Sequence, residues 1–319
     1  MKKRILSATI IVALIAVALT SRMLTPYVFD AIMIICGIVG TIEVVRAYAK
    51  RKMYVNENLA CTYILVLYLG LIIAIYNKAT ILQLLLYFVC IIAIYFVLTF
   101  IFSILFKDVT REEMLKAGYT KSIFKYSITK ALRSIYILIY PTMLFMLIIV
   151  LNHLNDFYVA TLTDKSTLLS ISAFVDFLVI AVFVCATFTD TFAMLIGSKL
   201  QGKKLCPNIS PNKTVSGAVG GFLMGLIGVL GLYMLYSLNT DFITILNTLE
   251  ITWVPIILFA VFGPIIAQLG DIVASVIKRK NYIKDFSNLI PGHGGVMDRV
   301  DGLIFVGLCA FITGMIIIL

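Results

Sequence analysis

Residues 79–105 read ATILQLLLYFVCIIAIYFVLTFIFSIL, a run of 27 positions without one Asp, Glu, Lys or Arg. The hydrocarbon core of a bilayer is about 30 Å thick, and about 20 residues of α-helix cross it. The apolar residues of this run do not alternate with polar ones, as those of a barrel strand would, and a helix satisfies its backbone groups within itself. The run therefore predicts a transmembrane helix.

The rest of the chain repeats the pattern. Of its 319 residues 61% are hydrophobic and 13% charged, and its mean hydropathy of +1.06 is far above that of a soluble domain. Nine spans are predicted, at about 5–21, 27–45, 60–76, 79–105, 134–151, 167–189, 216–237, 252–269 and 302–319. The fold class is an all-α polytopic membrane protein. Residues 1–133 form an N-terminal membrane region with the first four spans, and 134–319 a C-terminal catalytic region with the other five.

The cations orient these spans. Lys2, Lys3 and Arg4, then Arg46, Lys50, Arg51 and Lys52, seven between Lys107 and Arg133, then Lys199, Lys203, Lys204 and Lys213, and five between Lys278 and Arg299 fall on one side. Only Arg22, Lys78 and Lys165 fall on the other. The positive-inside rule then predicts a cytoplasmic N-terminus and cytoplasmic loops at 190–215 and 270–301. For most of these cations, topology and attraction to anionic head groups explain the net charge of +10. The Lys-Lys-Arg start followed by Ala16-Val17-Ala18 also suits a signal peptide, but an uncleaved first span is the reading kept. Six scattered cysteines show no metal or redox spacing and read as small core residues.

The cytoplasmic segments differ in character. Residues 107–133 interleave lysines with aromatic and aliphatic side chains, which suits a helix lying among head groups. Residues 190–221 hold Asp190-Thr191-Phe192-Ala193 and the polar run Ser210-Pro211-Asn212-Lys213-Thr214, where hydroxyls and a lysine offer donors to phosphate. Densest in reactive groups is 275–301: Ser275, Lys278, Arg279, Lys284, Asp285, His293, Asp298, Arg299 and Asp301, with Gly294 and Gly295 in a Pro-Gly-His-Gly-Gly turn. Asp271 lies where the eighth span reaches the cytoplasm, and Asp298 and Asp301 lie where the chain re-enters the membrane, so the ends of the loop are expected to bring Asp271 to Asp298. Carboxylates for a hard cation, with cations for phosphate charge, point to magnesium-assisted phosphoryl or nucleotidyl transfer. The glycines permit close backbone approach to phosphate, and the histidine can move a proton.

The string Ser275-x-Ile277-Lys278-Arg279-x4-Lys284-Asp285-x-Ser287-x2-Ile290-Pro291-x-His293-Gly294-Gly295-Val296-x-Asp298-Arg299-Val300-Asp301 resembles the signature of phosphatidate cytidylyltransferases, also called CDP-diacylglycerol synthases. The resemblance extends upstream through Gly270-Asp271, Ser210-Pro211-x-Lys213-Thr214 and Asp190-x-Phe192-Ala193. It implies an enzyme of the bacterial inner membrane, with its active site on the cytoplasmic side. Such an enzyme joins CTP to phosphatidate with magnesium, giving CDP-diacylglycerol and pyrophosphate. The implied catalytic residues are Asp271, Lys278, Arg279, Lys284, Asp285, His293, Asp298, Arg299 and Asp301, with Asp271 and Asp298 as metal ligands. Asp190, Ser210, Lys213, Thr214, Ser275, Gly294 and Gly295 are the expected substrate-binding residues. CTP, phosphatidate and the bilayer are the expected partners; a homodimer is admitted and nucleic acid is not expected. Asn212, Ser216 and Gly302 depart from the usual pattern. A CTP-dependent lipid kinase is the nearest rival, and a transporter, with Asp176 as its mid-membrane group, is a more distant one.

Overall fold

The computed structural model describes residues 2–22, 24–119, 122–159, 165–248, 253–292 and 294–318. Helices α1 (Lys2–Ser21), α2 (Pro26–Lys50), α3 (Glu57–Tyr76) and α4 (Ile81–Leu105) come first, then a short α5 (Lys107–Lys116). A broken helix follows: α6 (Ile123–Ile137), a π-turn over Leu138–Met143, and α7 (Leu144–Asn152). The remainder is α8 (Leu154–Val159), α9 (Lys165–Leu200), a hairpin of β1 (Lys204–Cys206) and β2 (Ser210–Thr214), α10 (Val215–Tyr236), α11 (Thr240–Thr248), α12 (Val254–Lys280) and α13 (Met297–Ile318).

Local chemistry sets several starts. Pro26 opens α2, where its missing N–H is no loss. Thr80 and Gln83 form a reciprocal capping box at α4. Asn56 caps α3, and Thr214 caps α10 by accepting the Gly217 N–H at 3.1 Å. Eight of the described helices are long and apolar enough to cross a membrane, and α1, at the expected first span, is a helix of 20 residues as well.

Two expectations change. The stretch 123–133, expected as a helix among head groups, is continuous with the broken helix that follows it. Its polar stripe is covered by packing: Tyr126, Ser127, Lys130 and Ala131 are buried, and Lys130 Nζ meets Glu113 Oε2 at 2.7 Å. The second change matters for the site. Helix α12 does not end with its apolar residues but runs on to Lys280, and α13 already begins at Met297. The expected loop of 270–301 is therefore a loop of only 281–296 between two helix ends.

The chain forms two compact units, each built from separated segments. Unit 1 comprises 1–15, 31–146 and 280–298; unit 2 comprises 16–30, 147–279 and 299–319. In unit 1, the rings of Tyr63 (α3) and Tyr95 (α4) meet edge to face at 5.1 Å. In unit 2, α9 and α10 touch backbone to backbone. A Cβ on Gly217 would lie 2.6 Å from the Ala193 carbonyl oxygen, and one on Gly221 2.7 Å from that of Thr189. Helices α12 and α13 meet as closely, since a Cβ on Gly270 would lie 2.6 Å from the Asp301 carbonyl oxygen. These contacts fix the helix ends that carry the ionisable residues.

Candidate functional site

On the last three turns of α12, Asp271, Ala274, Ser275 and Lys278 fall on one face by their spacing. Ala274 and Ser275 are buried, while Asp271 is about one third exposed. Lys213, projecting from β2, places Nζ 2.7 Å from Asp271 Oδ2. A second tie joins the same hairpin to the same helix, because Arg279 Nε donates to the Ile209 carbonyl at 3.1 Å. The two bonds bring Lys213 to the helix that carries Asp271.

Asp190 on α9 and Asp301 on α13 complete the cluster within unit 2. The carboxyl group of Asp190 feels the charges of Asp271, Lys213 and Arg299. That of Asp301, which is buried, feels Asp271, Lys278 and Asp190, and its Oδ1 accepts the Gly302 N–H at 2.9 Å. At Gly302 a Cβ would lie 3.1 Å from the Ala267 carbonyl oxygen and 3.7 Å from Asp190 Oδ2. Three carboxylates and three cations from α9, β2, α12 and α13 thus lie within electrostatic reach of one another. Among the described residues no three carboxylate, imidazole or thiol groups stand together closely enough to hold an ion outright. The donors are nonetheless hard carboxylate oxygens of the kind magnesium takes, and an ammonium already lies against Asp271.

The other expected residues belong to unit 1 or serve the frame. Asp298, expected as a metal ligand beside Asp271, is buried, and its Oδ2 accepts the N–H groups of Phe286 at 2.8 Å and Gly295 at 2.9 Å. It closes the loop upon itself. Gly294 adopts φ +86°, and a Cβ there would also lie 2.8 Å from Asp298 Oδ2, so this turn requires glycine. Lys284 and Asp285 are exposed on the loop. Thr214 uses its hydroxyl as the α10 cap, and Ser210 pairs with Cys206 in the hairpin. Ser216 Oγ donates to the Gln201 carbonyl, closing the hairpin's base. His293 lies outside the described residues.

Sequence reasoning missed Glu43, which is 4% exposed within α2. Its Oε1 accepts from Ser287 Oγ at 2.6 Å and from the Val296 N–H at 3.0 Å, and its Oε2 accepts the Met297 N–H at 2.8 Å. The signal was available, since a carboxylate inside an apolar span requires partners.

The profile of the cytidylyltransferase family matches residues 2–317. A phosphatidate cytidylyltransferase of Bacillus subtilis is 40% identical over 118 residues, 37% of this chain and 40% of that protein. One of Staphylococcus aureus is 41% identical over 124 residues, 39% of this chain and 44% of that protein. One of Rickettsia conorii is 41% identical over 124 residues, 39% of this chain and 51% of that protein. The matched segments thus span about half or less of the length of these curated relatives.

Proposed function

This chain belongs to the cytidylyltransferase family, and we propose that it transfers the cytidylyl group of CTP to phosphatidate, giving CDP-diacylglycerol and pyrophosphate. The observation that carries the reading is the interleaved cluster of Asp190, Lys213, Asp271, Lys278, Arg299 and Asp301 in unit 2. The names of the bacterial relatives support the choice of substrates. In the proposed reaction a phosphate oxygen of phosphatidate attacks the α-phosphorus of CTP, and the bond to the bridging oxygen of pyrophosphate breaks. The lipid phosphate is largely ionised near neutral pH, so the step requires charge compensation and alignment more than a general base.

Lys213, Lys278 and Arg299 are the groups that meet phosphate charge. Arginine offers a two-pronged contact, lysine a point charge. Three carboxylates against three cations leave the cluster balanced, so two phosphate-bearing substrates would add uncompensated negative charge. Asp271, within reach of the charges of Asp190 and Asp301, is where magnesium would be held; the ion would supply that compensation at the phosphates. Arg279 acts through its bond to Ile209 by keeping the hairpin, and with it Lys213, against α12.

The cation distribution supports a bacterial plasma-membrane location with the cluster on the cytoplasmic side, where CTP is available. The test is direct. Purified protein in detergent, given CTP, phosphatidate and magnesium, is expected to form a CDP-lipid and an equal amount of pyrophosphate. No CDP-lipid from folded protein under these conditions would reject the reading.

A further inference from the structure

The signature-like segment contains a loop whose organising group comes from elsewhere in the chain. Glu43 lies in the second half of α2, 244 positions before Ser287. Placing a carboxylate in an apolar helix is costly unless it is fully hydrogen-bonded. Glu43 meets that condition with three donors from one short stretch: the Ser287 hydroxyl and the N–H groups of Val296 and Met297. Ser287 Oγ in turn accepts the Leu289 N–H at 3.2 Å. A side chain on Gly295 would strike the Glu43 carboxylate, so the loop and the acid are fitted to each other. Met297 is itself buried and lies against α2, its Sδ being 3.5 Å from where a Cβ on Gly40 would stand.

Two carboxylates thereby divide the loop. Asp298 reaches back to Phe286 and Gly295, as the acidic residue of a capping box does. Glu43 holds the N–H of Met297, the first residue of α13, where a helix has no internal acceptor and favours negative charge. The first turn of that helix carries Arg299, and Asp301 follows it.

We propose that Glu43 is a positioning residue for cytidylyl transfer: its carboxylate sets the 286–297 loop and the start of α13. Ser287, Gly295 and the Val296 and Met297 amides of the signature-like segment are the receptors of that carboxylate rather than contacts to substrate. The inference rests on the proposed function, and its test has one arm that does not.

In the first arm, amide hydrogen exchange is measured by mass spectrometry on the wild type, Glu43→Gln, Ser287→Ala and the control Glu57→Gln, with no substrate present. Peptides covering 286–297 are expected to lose protection in Glu43→Gln, because Val296 and Met297 donate to different oxygens of Glu43 and the amide keeps only one of these acceptors. Protection elsewhere, and throughout Glu57→Gln, is expected to match the wild type. In the second arm, kcat of folded Glu43→Gln is expected to fall about 10- to 100-fold, with KM for CTP and for phosphatidate within about threefold of wild type. Ser287→Ala is expected to cost about threefold alone and nothing further in the Glu43→Gln background, as for two groups acting through one contact. A general loss of packing would not produce this non-additivity or the confinement of exchange to one loop.

Wild-type protection of 286–297 in Glu43→Gln, or a kcat within about twofold of wild type, overturns the proposal. Should Glu43→Gln fail to fold, Ser287→Ala decides alone, because it leaves the carboxylate its two backbone donors; unchanged exchange and unchanged kcat would then overturn it. If the wild type makes no CDP-lipid but the exchange pattern is as expected, the functional reading fails and the loop lock stands.

Discussion

Asp176 and Asp190 stand on the same helix, 14 residues and about 21 Å apart along its axis, in two regions of unit 2 that use charge differently. Around Asp176 every ionisable group has an opposite or hydrogen-bonding neighbour. Arg22 meets Asp176 Oδ1 at 2.9 Å and donates through Nε to Asn152 Oδ1 at 2.6 Å. Asn152 donates to Asp30 Oδ1 at 2.8 Å, and His153 lies between Asp30 Oδ2 and Asp156 Oδ2, each at 2.7 Å. This network joins the start of α2, the end of α7 and the body of α9. Around Asp190 cations are present too, Lys213 lying 2.7 Å from Asp271, but Asp190, Asp271 and Asp301 also feel one another's negative charge. Like charges gathered in an apolar setting destabilise it unless a ligand uses them. The difference separates a structural network from the proposed reaction centre, and it weakens a transporter reading built on Asp176.

The contrast is sharpest in Asp271→Asn. Loss of a carboxylate from the proposed reaction centre is expected to lower kcat about 10³-fold, roughly 4 kcal/mol of transition-state stabilisation, while Tm stays within about 2 °C because Asp271 and its partner Lys213 are both partly exposed. Steady-state assay and thermal melting on one preparation check both halves. Arg299→Lys keeps the charge but loses the fork, so a decrease of about 10- to 100-fold in kcat/KM is expected; near-normal turnover would reduce Arg299 to a topology residue.

The network should instead register in stability. Burial, the largest influence on His153, opposes its protonation, but hydrogen bonds and charge from Asp156 and Asp30 together raise its pKa from 6.5 to about 9. A group with a raised folded-state pKa contributes stability fully below its unfolded value and loses it as pH rises through the folded one. Unfolding free energy is therefore expected to fall from about pH 6.5 to pH 9 by on the order of 3 kcal/mol, seen as a falling melting temperature, and His153→Gln should flatten that slope. A slope unchanged in the variant would assign it to other groups. Asp176→Asn should have the smallest effect. It leaves Arg22 buried without its ion partner, for about 1 kcal/mol of stability, since Asp176 is itself half exposed. kcat should stay within about twofold of wild type.

Much of this was legible in the residues. The uncharged run at 79–105 and its counterparts announced the spans, because the bilayer imposes a minimum length on any helix that crosses it. The cluster residues were legible as types, with Lys213 and Asp271 both singled out before their contact was visible. Helix ends were harder. The polar residues from Asp271 to Lys280 resemble a loop by composition, yet they belong to a continuing helix in which Ala274, Ser275 and Ile277 are packed. Residues 123–133 left their cover open, since an amphipathic face looks alike whether lipid heads or a neighbouring helix cover it. Partners remote in sequence were not legible: Glu43 and Ser287 are 244 positions apart, and Asp30 and His153 are 123. Only the cost of a carboxylate in an apolar span hinted that Asp30 and Glu43 had them.

The most direct measurement follows the phosphorus atoms of CTP. Two preparations of CTP, one radiolabelled at the α-phosphate and one at the γ-phosphate, are incubated with phosphatidate, magnesium and purified protein, and label is counted in the lipid and aqueous phases. Attack at the α-phosphorus predicts that only the α-label enters lipid and that the γ-label is recovered entirely as pyrophosphate. γ-Label in the lipid with CDP left in water would contradict cytidylyl transfer and assign the cluster to a lipid kinase.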